Sequence, residues 1–189
     1  MKTRGYAASP AVSRAIALLL AAPAAGLFGQ AAVGQESQAF YCIPDVDNPP
    51  IQTFMVPQGI AELQFVVQGA HGSNPGTGAA GGFGGFVQET FAVTSEGPLK
   101  PGQQLDVWVG WFGVNSVGYG NGGDKGVANF PTAGDAGYGG GGSAIIDHAT
   151  QAPLVVAGGG GGSSGGTGGT GGNGGPYPQA GQDGTQGGG

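Results

Sequence analysis

The side chains best equipped for proton transfer are His71 and His148, the two histidines of the chain. A general base must reach the proton it takes and be oriented by a third group. His148 follows Asp147 in a predicted turn, and His71 follows a predicted strand; both read as surface turn histidines. Gly162-Ser163-Ser164-Gly165-Gly166 fits G-x-S-x-G. That elbow needs a strand-to-helix turn, and no helix follows. Asp45-Val46-Asp47-Asn48 opens like a calcium loop, but Pro49-Pro50 follows and the required glycine and terminal glutamate are missing. Gly122-Gly123-Asp124-Lys125-Gly126 and Asp135 lack the nonapeptide calcium period. There is no H-E-x-x-H, and Cys42 is the single cysteine. Neither lysine beyond position 30 sits in a phosphate loop, and Gly82-x-Gly84 has no following helix for a dinucleotide site. The reading is no catalytic, cofactor-binding or metal-binding residues; an enzyme would need an active site that none of these patterns describes.

Two features remain that could recognise something. Trp108, Trp111 and Phe112 form an aromatic cluster. It reads either as core plus sheet edge, or as a platform for an extracellular protein or carbohydrate, since exposed aromatics mark interfaces. The second feature is a glycine tract. Thirteen of the eighteen residues from Gly158 to Gly175 are glycine. Every third residue from Gly166 falls on Gly169, Gly172 and Gly175. Polyproline II backbone has three residues per turn, so such a column occupies one face. A face without Cβ atoms admits a neighbouring backbone. The rival reading is a flexible Gly/Ser linker. Glycine loses the most entropy on ordering, so the tract orders only if several such helices pack together and a scaffold holds their ends.

The rest of the chain supplies a candidate scaffold. Leu63, Phe65 and Val67 alternate with Glu62, Gln64 and Val66, the pattern of a half-buried strand. Leu105, Val107 and Val109 share one face of the clearest strand, over 105–110. Runs 53–56, 86–93, 143–146 and 153–157 are also strand-like, separated by Pro-Gly and Gly-rich turns. Nothing after position 34 has helical periodicity. These strands predict an all-β fold, a small antiparallel β-sandwich of jelly-roll-like character. Leu63, Phe65, Val107, Val109 and Val155 should face inward. Glycine-rich segments 69–85, 110–142 and 157–189 each begin where a strand ends, as inserted polyglycine or polyproline II-type helices.

Charge and composition narrow the function. The chain holds 46 Gly and 13 Pro in 189 residues, close to a third, with only 8% charged. Lys2, Arg4 and Arg14 precede an apolar run at 15–25, followed by small residues to Gly34. That order is a secretory signal, and the run is too short to span a bilayer. The expected division is signal peptide 1–34, lead-in 35–50, sandwich with insertions 51–157, and glycine-rich tract 158–189, continuing beyond the given end. Cleavage is expected between Ala24 and Gln35. Beyond it stand two lysines against eleven acidic residues, a formal charge of −9. This excludes nucleic-acid binding and docking on anionic lipid. Membrane attachment would need a part outside this sequence. Cys42 is a free thiol, or pairs with another chain or with a part outside this sequence.

The order of motifs carries a resemblance. Phe54-Met55-Val56-Pro57-Gln58-Gly59 is followed by a strand ending Gly69-Ala70, then Gly81-Gly82-Phe83-Gly84-Gly85. Next come a Pro-Gly turn, a strand ending Val109-Gly110, Gly139 to Ala144, and Leu154 to Gly161. Over 51–175 this resembles the glycine-rich extracellular domain of the anaplastic lymphoma kinase and leukocyte tyrosine kinase receptors and bacterial secreted relatives. The resemblance implies a tumour-necrosis-factor-like sandwich with bundled polyglycine helices, and ligand recognition outside the cell. A kinase domain, a membrane helix and most cysteines of that family are missing from this sequence. The expected function is a secreted or cell-surface, non-enzymatic structural or binding module. The alternative is the ectodomain fragment of a receptor tyrosine kinase-like or membrane-anchored protein.

Overall fold

The structure is a computed structural model and describes residues 14–18 (backbone), 37–42, 51–74, 80–111, 118–124, 136–163 and 170–175. Among the described residues eight strands are formed: β1 (Arg14–Leu18), β2 (Ser37–Tyr41), β3 (Gln52–Met55), β4 (Glu62–Gln68), β5 (Phe86–Ala92), β6 (Gln104–Trp108), β7 (Ser143–Asp147) and β8 (Pro153–Ala157). They make two four-stranded sheets, ordered β2-β1-β4-β5 and β3-β6-β7-β8. Every strand pair is antiparallel. The described residues contain no helix. The all-β, antiparallel expectation therefore stands.

The core follows from alternation. Along β4, Leu63, Phe65 and Val67 are buried while Gln64 and Val66 are half-covered. They share one cluster with Phe54, Leu105, Val107, Ile145 and Val155 of the other sheet. Val109 belongs to it too, just beyond β6. All five residues expected to face inward are buried. β7 is buried along Ser143–Ile146, so its sequence reads as a continuous run rather than an alternation.

Two strands were not legible. β2 lies in what reads as a polar lead-in, and β1 in the expected export signal. Phe40 of β2 is buried, with its ring edge-on to Phe54 at 6.2 Å. That contact gives a short polar-flanked segment its place in the sheet. β6 also stops at Trp108, short of the expected Gly110, whose N–H bonds to the Ser143 hydroxyl instead of a backbone carbonyl.

The two ends of the sheets differ. At one end β7 and β8 close in a hairpin over Asp147–Ala152, with Gln151 at a φ of 57°. At the other end, β4, β6 and β8 release the chain into glycine-rich backbone, and β5 and β7 receive it back.

Candidate functional site

Ser143 sits where the glycine segments begin. It is fully buried, and its hydroxyl donates to the Gln68 carbonyl at 2.7 Å. The same oxygen accepts the Gly110 N–H at 2.9 Å. One side chain thus ties together the ends of β4, β6 and β7. Sequence reasoning treated Ser143 only as a strand residue. Its signal was a lone hydroxyl between a glycine run and an apolar run, at a place where backbone groups need partners.

Beyond Ser143 most bonds between the glycine segments join backbone to backbone, and these recur every third residue. Gly69 and Gly72 donate to the carbonyls of Gly85 and Gly82. Gly82 and Gly85 donate to Gly161 and Gly158, and these donate to Gly172 and Gly175. Gly137 and Gly140 donate to Ser163 and Gly160. Gly160 and Ser163 donate to Ala70 and Ser73, and Ala70 and Ser73 donate to Gly141 and Tyr138. Gly171 and Gly174 donate to Ala80 and Phe83. The stretch 158–163 is bonded to four other segments and occupies the middle of the set.

The segments approach as closely as backbone allows. A Cβ built on Gly159 would lie 1.8 Å from the Gly140 oxygen, and one on Gly160 2.1 Å from the Gly82 oxygen. Each Cα–H there points at a carbonyl, the arrangement of a weak C–H···O contact. Of the expected column, Gly166 and Gly169 lie outside the described residues. Gly172 and Gly175 lie within them, and their carbonyls accept the bonds from Gly161 and Gly158. The positions next to them, Gly171 and Gly174, are crowded: their Cβ atoms would meet the Gly161 and Gly158 oxygens at 2.0 and 2.3 Å. Asn173 is more than a spacer, since its side-chain oxygen accepts the Phe83 N–H at 2.9 Å. A cavity of about 550 Å³ opens among these segments, with Tyr119, Asn121 and Asp124 as its larger side chains.

The expected aromatic platform is only partly described. Trp108 and Trp111 are half-buried at the base of the glycine segments, and Phe112 lies outside the described residues. The Trp108 ring meets Tyr119 edge-on at 6.3 Å, and its indole N–H is buried without a partner. The Trp111 carbonyl accepts the Gly141 N–H. The more exposed aromatics are Phe83, at 73%, and Phe86, at 56%. Both were missed, because one sits in a glycine run and the other opens a strand with a half-buried face.

The hairpin end carries the polar cluster. Asp106 is buried on the outward side of β6, at 4% exposure. His148 Nδ1 lies 2.8 Å from its Oδ1, and Gln151 Nε2 donates to its Oδ2 at 3.2 Å. Both oxygens of a desolvated carboxylate are thereby satisfied, as burial demands. Asp147 accepts the N–H groups of Ala149 and Thr150 and the Gln103 amide. The Thr150 N–H, followed by smaller contributions from Ala149 and Gln103, holds its carboxyl below the usual range against the opposing effect of burial. A cavity of about 610 Å³ beside it is lined by Lys100, Gln103, Asp147, His148 and Thr150. These contacts account for the geometry of the hairpin without a nucleophile. His71, the other histidine, places Nδ1 2.9 Å from the Gly72 carbonyl.

Cys42 is half-buried against the core, which pushes its thiol up. Among the described residues no group of three or more His, Cys, Asp or Glu is placed to hold a metal. No protein-family model, curated protein or solved structure matches the chain.

Proposed function

We propose that the chain is an exported structural and binding module, in which a β-sandwich holds a bundle of polyproline II-type glycine helices outside the cell and does no covalent chemistry. The observation that carries this reading is the three-residue recurrence of the bonds between segments. A polyproline II helix has three residues per turn and no internal hydrogen bonds, so its N–H and C=O groups face outward in three columns. The columns 69/72, 82/85, 158/161 and 172/175 are bonded in that manner. A flexible linker would give no such repeat.

The sandwich is the natural holder for the bundle. Both sheets contribute to one core, and the described glycine stretches 69–74, 80–85, 136–142 and 158–163 each start or end on a strand of that core. Export follows from the charge and apolar order of 1–34, and the acidic surface beyond it suits a protein or carbohydrate partner rather than nucleic acid. Phe83 and Phe86, both exposed, and the half-buried Trp108 and Trp111 are aromatic groups available for such a partner.

The test is hydrogen exchange on protein collected from the medium of an expressing cell, with its N-terminus read by mass spectrometry. The amides of Gly158, Gly160, Gly161, Ser163, Gly171 and Gly174 should be protected on the time scale of β4, because they are bonded inside the bundle. Complete exchange of those amides within the dead time, with β4 still protected, would remove the bundle. An N-terminus still at Met1 would remove the export reading.

A further inference from the structure

β4 is a core strand, yet its partner on one side comes from the expected export signal. β1 (Arg14–Leu18) lies between β2 and β4, antiparallel to both. It pairs with β2 along its full length, Arg14 opposite Tyr41 through Leu18 opposite Ser37, and meets β4 at Ile16 opposite Val66. Cleavage between Ala24 and Gln35 removes this strand. The processed chain then has β5 as the one established neighbour of β4, and the other edge of β4 presents unpaired N–H and C=O groups.

β2 is held away from that edge. Phe40 is buried against Phe54, and Gln52 Nε2 donates to the Tyr41 carbonyl at 2.9 Å. Moving β2 one strand position over would pull Phe40 out of the core. Both β2 and β4 run opposite to β1, so they are parallel to each other, about 10 Å apart, twice the ~4.8 Å strand spacing. That gap is one strand wide, bounded by backbone on both sides.

We propose that this slot is a peptide-binding site: it takes an extended segment of a partner protein, which enters antiparallel to β4 and completes the sheet. The proposal rests on the export reading above, since only processing empties the slot. The chemistry of the guest follows from what the slot holds before processing. Arg-Ala-Ile-Ala-Leu is a five-residue stretch of small and aliphatic residues without proline or acidic groups. Main-chain bonds supply affinity in strand addition, and alternate side chains supply selectivity. A guest here can pair on both edges, along its whole length with β2 and at the position opposite Val66 with β4, where addition to an open sheet edge pairs on one.

The experiment uses protein from the medium, after mass spectrometry has placed its N-terminus. A fluorescent peptide of residues 12–19 is titrated against it, beside a peptide carrying Ile16→Pro, which lacks the donor at the centre of the strand. The expected result is saturable binding that the proline peptide loses at least tenfold, with new amide protection in β4 and β2. Failure to bind, with the outer-edge amides of β4 already protected in the free protein, means that the chain closes its own gap and overturns the proposal while export stands. The same holds if those amides are protected only in a dimer, seen by light scattering; the slot is then filled by a second copy. An N-terminus at Met1 overturns both, because the slot was never emptied.

Discussion

Replacing Gly159 by alanine tests how tightly the glycine segments pack. The new Cβ would lie 1.8 Å from the Gly140 oxygen and 2.4 Å from its carbon. Both are backbone atoms, so no side chain can swing aside. Relief requires the two backbones to part by roughly 1.5 Å, the shortfall from ordinary van der Waals contact. The bonds joining them, Gly140 N–H to Gly160 and Gly137 N–H to Ser163, are each 2.7 Å long. Stretched that far, neither remains a hydrogen bond. Each is worth about 0.5–1.5 kcal/mol net, and buried groups left unpaired add to the loss. Alanine returns ~0.4–1 kcal/mol by restricting the unfolded chain. The balance is about 2 kcal/mol of destabilisation, or a Tm lower by roughly 4–8 °C for a chain of this size. Two controls calibrate it. At Gly161 the Cβ would sit 3.1 Å from the Gly172 nitrogen, a contact that gives by tenths of an ångström, so Gly161→Ala should cost less. At Gly123 nothing lies within 4 Å, and Gly123→Ala should melt at or slightly above wild type. Differential scanning calorimetry of the three variants reads the order directly. Coincident transitions for Gly159→Ala and Gly123→Ala would refute the close packing.

Other substitutions probe the frame. Ser143→Ala strips the Gly110 N–H and the Gln68 carbonyl of a shared buried partner, at a cost of about 1–3 kcal/mol, and amide exchange should rise at Gly110 before it rises in β4. Unchanged exchange at Gly110 would deny Ser143 its anchoring role. Val107→Asp puts a carboxylate into a site 1% exposed, between β3 and β7, and should abolish the cooperative melting transition; a wild-type melt would show the strand face misassigned. Asp147 gives a pH signature. Its folded pKa lies below the unfolded value near 3.8, so its stabilisation is present above that value and is lost as pH falls through the folded one. Asp147→Asn should therefore melt below wild type at pH 6, and the two should converge as the pH is taken below the ordinary carboxylate range. A gap that stays constant with pH would assign the effect to shape rather than charge.

Strands with one buried face were legible because alternation reports burial directly. Leu63-Gln64-Phe65-Val66-Val67 names its own inner face, and so does Leu105-Asp106-Val107. The same rule does not account for Asp106. An outward position on β6 predicts exposure, but the β7–β8 hairpin folds back and covers it with His148 and Gln151. That is a contact across more than forty residues, and no local pattern encodes it. Ser37–Tyr41 was illegible for a related reason. A strand of mixed composition is selected by its neighbours more than by its own propensity, and here the selecting contact is Phe40 on Phe54. In the glycine tract the sequence shows a period but does not assign its phase. With glycine at two of every three positions, sequence alone cannot tell which column meets a carbonyl. The crowding at Gly171 and Gly174 depends on where the segment 158–161 lies.

Sheets and glycine segments solve opposite halves of one energetic problem. Ordering a residue costs roughly 1–2 kcal/mol of backbone entropy, and glycine stands at the costly end. The glycine segments bury few side chains, so the hydrophobic effect offsets little of that cost locally. They gain instead from backbone bonds, and those bonds form only when several segments arrive together in one register. The sheets bring them together: Gln68, Trp108 and Ala157 end their strands at one edge of the core, and Ser143 binds two of those ends directly. Register then propagates outward from a rigid base, one bond every third residue. It follows that the bundle should melt with the sheets or before them, and never after. A variant that loosens the base, such as Ser143→Ala, should release the whole bundle, whereas one at its outer reach, around Gly137 and Ser73, should fray only its own turn.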